Sequence, residues 1–462
     1  YVVAFFKASA YFLLTVLYSS IDFSTLSKSV FSPILTTCIP VLYLFGKVFI
    51  SGAKNTALPI ICASLLTDEP VTLRNLPILS DITSLNLLLQ QIGTQIEGKQ
   101  EELNGHITQT FTYHTPHPTS LVAPYDYVRK MRASYYVLGP LLTKYRHVEL
   151  SLPGGCAIGA RPMDIHLSSL EQMGAHIEIK NGYVIADIKD RLKGAHITFH
   201  SASVGATCNI LMAATLADGE TIIENAAKEP EIADLINILN KMGADIEGAN
   251  TSTLTIHGVD KLHGVTHEII NDRIEAGSYA VAAAITHGRL ELVNAEADYL
   301  QSPLDILQKS GVSIERQPNS LIIDAQNANL QGVDVYTDYY PGFPTDLQAQ
   351  FMALMCVADG AAMVTESIWE NRFMHVPELV RMGANINVHG HASAIVRGVK
   401  KLSGAPVMST DLRASFALIL AGLVAEGETI VNRVYHLDRG YEHLEEKFKA
   451  VGANIERIKE ND

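Results

Sequence analysis

One motif written six times constrains this chain more than any other feature. "QIGTQIE", "QMGAHIE", "KMGADIE", "KSGVSIE", "RMGANIN" and "AVGANIE" carry Gly93, Gly174, Gly243, Gly311, Gly383 and Gly452, at spacings of 81, 69, 68, 72 and 69 residues. An apolar-periodic segment that suits a helix precedes each glycine, and a short alternating stretch that suits a strand follows it. Glycine at such a junction ends a helix in the left-handed conformation. Upstream lies a second recurring element, a small-residue helix, a turn and a β-rich run. It is seen in "ATCNILMAATLADGETIIEN", "GSYAVAAAITHGRLELVNA", "AQFMALMCVADGAAMVTES" and "ASFALILAGLVAEGETIVNR", with Gly219, Gly288, Gly360 and Gly427 at one place in the turn. Alanine and glycine let neighbouring backbones approach closely, so these helices are expected to be buried on every side.

A unit of about 70 residues is too small to be comfortably stable alone, whereas three units sharing one core make a normal domain. The 462 residues therefore predict an α/β protein of two domains with three units each. The natural boundary falls near "GVTHEIINDRIEAG", giving a first domain over 52–269 and a second over 270–462, with 46–51 as the join. Ligands favour clefts between domains, so the loops facing that junction should carry the chemistry.

Residues 1–45 fit this scheme poorly. "YVVAFFKASAYFLLTVLY" is apolar over about one membrane span but is interrupted by Lys7, and the later run "PILTTCIPVLYLF" is broken by prolines. Small residues precede the apolar stretch, the reverse of the order in a secretory signal. The segment is expected not to belong to the working protein, with a membrane tether as the alternative.

The formal charge of −14 excludes nonspecific nucleic-acid binding, which needs a basic face. Five scattered cysteines, Cys38, Cys62, Cys156, Cys208 and Cys356, show no zinc spacing or disulfide framework and point to a reducing, cytoplasmic setting. The runs "YHTPHP" and "NVHGHAS" lack nearby carboxylates or thiols, so no metal is expected.

Polar residues recur at matched places. The starts of the first helices carry Lys54 and Asn55 in "SGAKN", Arg132 in "KMRAS", Asp346 in "FPTD" and Arg413 in "TDLRAS"; the ends of the β-rich runs carry Cys156, Arg372 and Arg439. Helix N-termini favour anions. If these ends converge, an acidic protein acquires a cationic cleft. Taken singly, Arg132 and Arg413 could be held by capping acids such as Asp411, and Asp346 could itself be a helix cap. In "LPGGCAIGARP" the glycines permit loop motion, and Arg161 favours thiolate character in Cys156. Cys62, Cys208 and Cys356 lie in apolar helical patterns and read as inert core.

From about Gly46 onward, "SGAKN", "MRAS", "LPGGCAIGARP", "SVGAT", "EPEI", "FPTDLQAQF", "ENRFMHVPEL", "TDLRAS" and "HLDRGYE" appear in the order found in UDP-N-acetylglucosamine 1-carboxyvinyltransferases, a family of enolpyruvyl transferases that this sequence resembles. The resemblance implies two inside-out, barrel-like α/β domains, each a pseudo-threefold set of repeats with buried helices and outward sheets. It implies transfer of the enolpyruvyl group of phosphoenolpyruvate to the 3′-hydroxyl of UDP-N-acetylglucosamine, with release of phosphate and no cofactor. Lys54, Asn55, Arg161, Arg413 and Arg439 would then hold phosphoenolpyruvate. Asn55, Arg132, Arg161, Pro162, Met163, Asp164, Ile165, Ser203, Val204, Gly205, Asp346, Ile368 and Arg372 would hold the nucleotide sugar. By the same resemblance, Asp346 is the base for the sugar hydroxyl, Lys54 a catalytic cation and Cys156 the acid on a mobile loop, able to form a covalent adduct. The family also begins with a strand of the second domain about twenty residues before the lysine, which this sequence does not visibly supply. Two other readings compete: the related shikimate-pathway transferase, whose own motifs are absent, and a non-catalytic nucleotide-sugar-binding paralogue.

Overall fold

The computed structural model describes residues 34–103, 106–152 and 163–459. Each unit supplies an inner and an outer helix. In the first half these are α1 (Lys54–Ala63) and α2 (Ser80–Ile92), α3 (Leu138–Tyr145) and α4 (Asp164–Gln172), α5 (Val204–Ala214) and α6 (Pro230–Lys241). In the second half they are α7 (Arg273–Ile285) and α8 (Gln301–Lys309), α9 (Gln348–Met355) and α10 (Val376–Arg381), α11 (Leu412–Gly422) and α12 (Leu444–Ala450). The inner helices are buried almost all round; α7 and α11 are buried at every residue but the first. Their small side chains leave room for this close approach. The outer helices keep one wet face, and two separate apolar cores result, one for each half.

Six four-stranded sheets wrap these helices, all with one internal pattern: a parallel pair, then two antiparallel pairs. The six motif glycines all have positive φ, between 91° and 114°, so each ends its helix as the pattern predicts. Gly219, Gly360 and Gly427 also have positive φ, but in the fourth turn His287 takes the left-handed conformation at 48°. Gly288 instead lies against the Leu44 carbonyl, where a Cβ would come within 2.3 Å.

The N-terminal expectation is corrected where the chain is described. Ile34–Ile39 is an inner strand of the sixth sheet, antiparallel to both Thr429–Asn432 and Asn454–Lys459. In the other five sheets this place is filled by the strand that follows the outer strand and pairs with it as a hairpin; in the sixth it is filled by Ile34–Ile39, from a distant part of the chain. Phe45–Phe49, which overlaps the expected join at 46–51, is a strand too and pairs in parallel with Arg289–Val293. Residues 34–49 therefore close the second half into a ring. Its apolar residues are strand chemistry, with Cys38 and Leu44 fully buried. Residues 1–33, to which the tether reading also applied, lie outside the described residues. No helix among the described residues is long and apolar enough to cross a membrane.

Two strands of chain cross between the halves side by side. Gly52 bridges Asn271, Ala53 N–H donates to the Ile270 carbonyl at 2.7 Å, and Asp272 N–H donates to the Ser51 carbonyl at 2.8 Å. A Cβ on Gly52 would lie 1.7 Å from the Asn75 carbonyl oxygen, so only glycine fits this crossing. Both chains enter helices at once, one at Lys54 and the other behind the Asp272 cap, whose carboxylate accepts from Ile274 and Glu275 N–H.

Candidate active site

Four of the cations that the sequence marks, Lys54, Arg372, Arg413 and Arg439, gather at two carboxylates. Lys54 opens α1, and its ammonium lies 2.6 Å from Asp81, in the first turn of α2. From the other half, Arg439 at the end of the 3-10 turn Val434–Arg439 donates through Nε to the same carboxylate at 3.0 Å. Burial alone would raise Asp81, but Lys54 and Arg439 outweigh it and hold the carboxyl below its ordinary range. Lys54 shows the opposite balance: burial pulls its ammonium down, Asp81 pushes it up, and Arg439 and Arg413 add to the downward pull.

A second carboxylate gathers the other two cations. Asp346 Oδ1 accepts from Arg372 Nη2 at 2.7 Å, and Oδ2 accepts from Arg413 Nη2 at 2.9 Å. Arg372 also donates to the Thr345 carbonyl at 3.3 Å. The capping alternatives fail here. Asp411 caps α11 through the backbone N–H groups of Arg413 and Ala414 at 2.8 and 3.0 Å, leaving the guanidinium to reach Asp346. The 3-10 turn Thr345–Leu347 has Pro344 at its cap position and no side-chain cap. Burial would lower Arg413, but Asp346 outweighs it and holds the guanidinium above its ordinary value. Its Nη1 is buried without a hydrogen-bond partner among the described residues. The Tyr441 ring lies 5.5 Å beneath this guanidinium, and Gln350 ties the Tyr441 hydroxyl to the Asp346 carbonyl at 3.1 and 3.0 Å.

Around α5 the first half presents a different surface. Ser203 caps the helix, its hydroxyl accepting from Ala206 N–H at 3.3 Å. A Cβ on Gly205 would meet the Tyr135 hydroxyl at 2.4 Å, so this turn packs directly on the 3-10 segment that begins at Arg132. His166 of α4 bonds Asn209 of α5 at 3.1 Å, and burial, reinforced by Arg132, lowers its imidazole to about 4. The imidazole is therefore neutral, and it fixes α4 against α5. Met163 is buried at the cap of α4, Asp164 is exposed, and Asn55, Ile165, Ser203, Val204 and Gly205 are half-buried. Ile368 precedes Arg372 in the same turn, its N–H bonded to Glu366 at 3.0 Å.

Cys156, Arg161 and Pro162 lie outside the described residues. The other four cysteines are buried free thiols, and burial raises all of them, Cys356 to about 12. A cleft of about 540 Å³ opens beside the Lys54 cluster, walled by Ser80, Asp438, Tyr441 and Arg457, but none of the four gathered cations lines it. Asp81, Asp272 and Tyr441 were missed from sequence. Acids recur in the first turns of the outer helices, as Asp164, Glu231 and Glu378 do, so Asp81 gave no signal beyond ordinary capping chemistry.

Known proteins share this organisation. A family model described as EPSP synthase (3-phosphoshikimate 1-carboxyvinyltransferase) matches residues 40–448. The chain belongs to this family. Two similar relatives are UDP-N-acetylglucosamine 1-carboxyvinyltransferases. The one from Paramagnetospirillum magneticum is 57% identical over 418 residues, 90% of this chain and 96% of the relative. The one from Granulibacter bethesdensis is 59% identical over 420 residues, 90% and 97% of the two chains. Among solved structures, the enolpyruvyl transferase NikO from Streptomyces tendae superposes with a TM-score of 0.81 at 23% identity, covering 93% of this chain and all of that one. EPSP synthase from Acinetobacter baumannii gives 0.72 at 19%, covering 92% and 100%. These two establish the two-domain enolpyruvyl transferase fold.

Proposed function

We propose that this chain transfers the enolpyruvyl group of phosphoenolpyruvate to the 3′-hydroxyl of UDP-N-acetylglucosamine, releasing phosphate, the reaction that commits the sugar to peptidoglycan precursors. The observation that carries the reading is the gathering of Lys54, Arg372, Arg413 and Arg439 from both halves around two carboxylates. A phosphate and a carboxylate on one small substrate call for several cations at once. The relatives' shared identity favours the amino-sugar acceptor over shikimate phosphate: it stands at 57–59% for the UDP-N-acetylglucosamine transferases and 19% for the EPSP synthase.

In this reading Lys54, Asn55, Arg413 and Arg439, joined by Arg161, hold phosphoenolpyruvate. Arg132, Met163, Asp164, Ile165, the Ser203–Gly205 turn, Ile368 and Arg372 line the nucleotide-sugar side, with Asn55, Arg161 and Pro162. Asp346 accepts the proton of the 3′-hydroxyl. A carboxylate is far too weak a base to ionise a free alcohol, so the proton moves as the oxygen bonds to C2 of phosphoenolpyruvate. The C3 methylene takes a proton from the Cys156 thiol. Loss of phosphate, with a proton returned from C3, restores the double bond and leaves the enolpyruvyl ether. Buried, unbridged thiols at Cys38, Cys62, Cys208 and Cys356 support a reducing, cytoplasmic setting.

The test is phosphate release from phosphoenolpyruvate with UDP-N-acetylglucosamine as acceptor. Release that depends on the acceptor is expected. A folded protein that binds the nucleotide sugar but releases no phosphate is a non-catalytic binder, and release that requires shikimate 3-phosphate instead refutes the choice of acceptor.

A further inference from the structure

Asp81 has no part in the chemistry just described, yet it sits at the centre of it. Its side chain is 4% exposed, and its two oxygens lie 2.6 Å from Lys54 Nζ and 3.0 Å from Arg439 Nε, with Arg439 Nη2 at 3.5 Å. Three separate elements meet there: the start of α1, the first turn of α2 and the last residue of a 3-10 turn in the other half. Among the described residues Asp81 is the ion-pair partner of the Lys54 ammonium.

Resting on the reading that Lys54 and Arg439 receive phosphoenolpyruvate, we propose that Asp81 is a positioning residue: it holds the two cations side by side across the halves so that one phosphate group can span both. Without it, two like charges would face each other in a nearly dry site and turn apart. The charge matters as much as the geometry. Lys54 is faced by Asp81 from α2, Arg439 from the 3-10 turn and Arg413 from α11, while Asp272 of α7 reaches its backbone N–H at 3.4 Å. Asp81 is the group among these that opposes burial and favours the protonated amine. An amine stripped of that support loses its proton at lower pH and ceases to attract phosphate.

The experiment measures steady-state phosphate release for the wild type, Asp81→Asn and Asp81→Glu, each varied in both substrates and across pH. For Asp81→Asn the KM for phosphoenolpyruvate should rise by about tenfold, as expected for losing a hydrogen bond to a charged group. The KM for UDP-N-acetylglucosamine should stay within about twofold. The alkaline limb of kcat/KM for phosphoenolpyruvate should move to lower pH, because Lys54 must be protonated and its supporting charge is gone. Asp81→Glu keeps the charge and should keep the limb at the wild-type pH even where its KM rises. A folded Asp81→Asn enzyme with its limb in place, or with both KM values raised equally, overturns the proposal. If Asp81→Asn does not fold, Asp81→Glu carries the test: its KM change must fall selectively on phosphoenolpyruvate, and an equal change in both refutes the positioning role. A wild-type protein without phosphate release defeats the functional reading itself, whereas an active wild type with unaffected Asp81 variants defeats only this inference.

Discussion

Starting the chain at Gly46 removes Ile34–Ile39 from inside the sixth sheet, and the structure sets the scale of the loss. The strand has four Cα partners along Thr429–Asn432 and six along Asn454–Lys459. Antiparallel ladders carry about one backbone hydrogen bond per partner pair, and at roughly 1 kcal/mol net for each, the two ladders contribute on the order of 10 kcal/mol. Thr36 and Cys38 are fully buried there, and the Thr36 hydroxyl donates to Glu445 at 2.8 Å. A domain is stable by about 5–15 kcal/mol in total. The second half is therefore expected not to fold without the strand. Two truncated proteins isolate the effect, one beginning at Ser32 and the other at Gly46, compared by solubility, far-UV circular dichroism and urea unfolding. The longer should unfold cooperatively, while the shorter should lose the transition of the second half or precipitate. A soluble Gly46 protein with the same unfolding midpoint would refute the role assigned to the strand.

Other perturbations test the crossing and the site. Lys447 donates to Glu275 and Ser51 at 2.7 Å beside the crossing chains, so Lys447→Met leaves a buried carboxylate unpaired and should cost about 3–5 kcal/mol near pH 8. Burial already raises Glu275 and Lys447 opposes it, so the variant's folded-state value rises further. Stability is then lost as pH rises through that value, and urea midpoints should show a smaller penalty at pH 5 than at pH 8; the reverse order contradicts this. For Asp346→Asn, kcat for phosphate release should fall by about 10² to 10⁴-fold, whereas a loss below about tenfold removes Asp346 as the base. Cys156→Ala should abolish covalent labelling by an epoxide of the fosfomycin type, read by intact mass, and labelling that persists places the reactive thiol elsewhere.

How legible all this was varied with the range of the interaction. The repeat glycines and inner helices could be read directly, because a left-handed helix end and a helix buried on all sides each leave a local mark in residue type. Lys54, Arg372, Arg413, Arg439 and Asp346 could be marked as candidates, because the repeat placed them at equivalent ends. Which carboxylate meets which cation could not be read, since Asp81 and Arg439 are 358 residues apart and Arg413 and Asp346 are 67 apart. The strand at Ile34–Ile39 was misjudged for a related reason. Its apolar residues run straight on from a longer apolar stretch, and its partners lie at the far end of the chain. The close approach of Gly288 to the Leu44 carbonyl, and the left-handed conformation of His287 beside it, depend on a segment more than 240 residues away and leave no mark in the turn's own pattern.

The ring closure by residues 34–49 also sets an order of events at the ribosome. The first half is one continuous stretch, from Lys54 in α1 to the strand Thr266–Glu268 that completes its ring beside Val71–Leu76, so it can fold as soon as that strand emerges. The second half must hold its first-made strand unpaired until Asn454–Lys459, its last, has been synthesised. Nascent chains stalled near residue 300 should therefore already protect the first half from protease while Ile34–Ile39 is still open to cleavage.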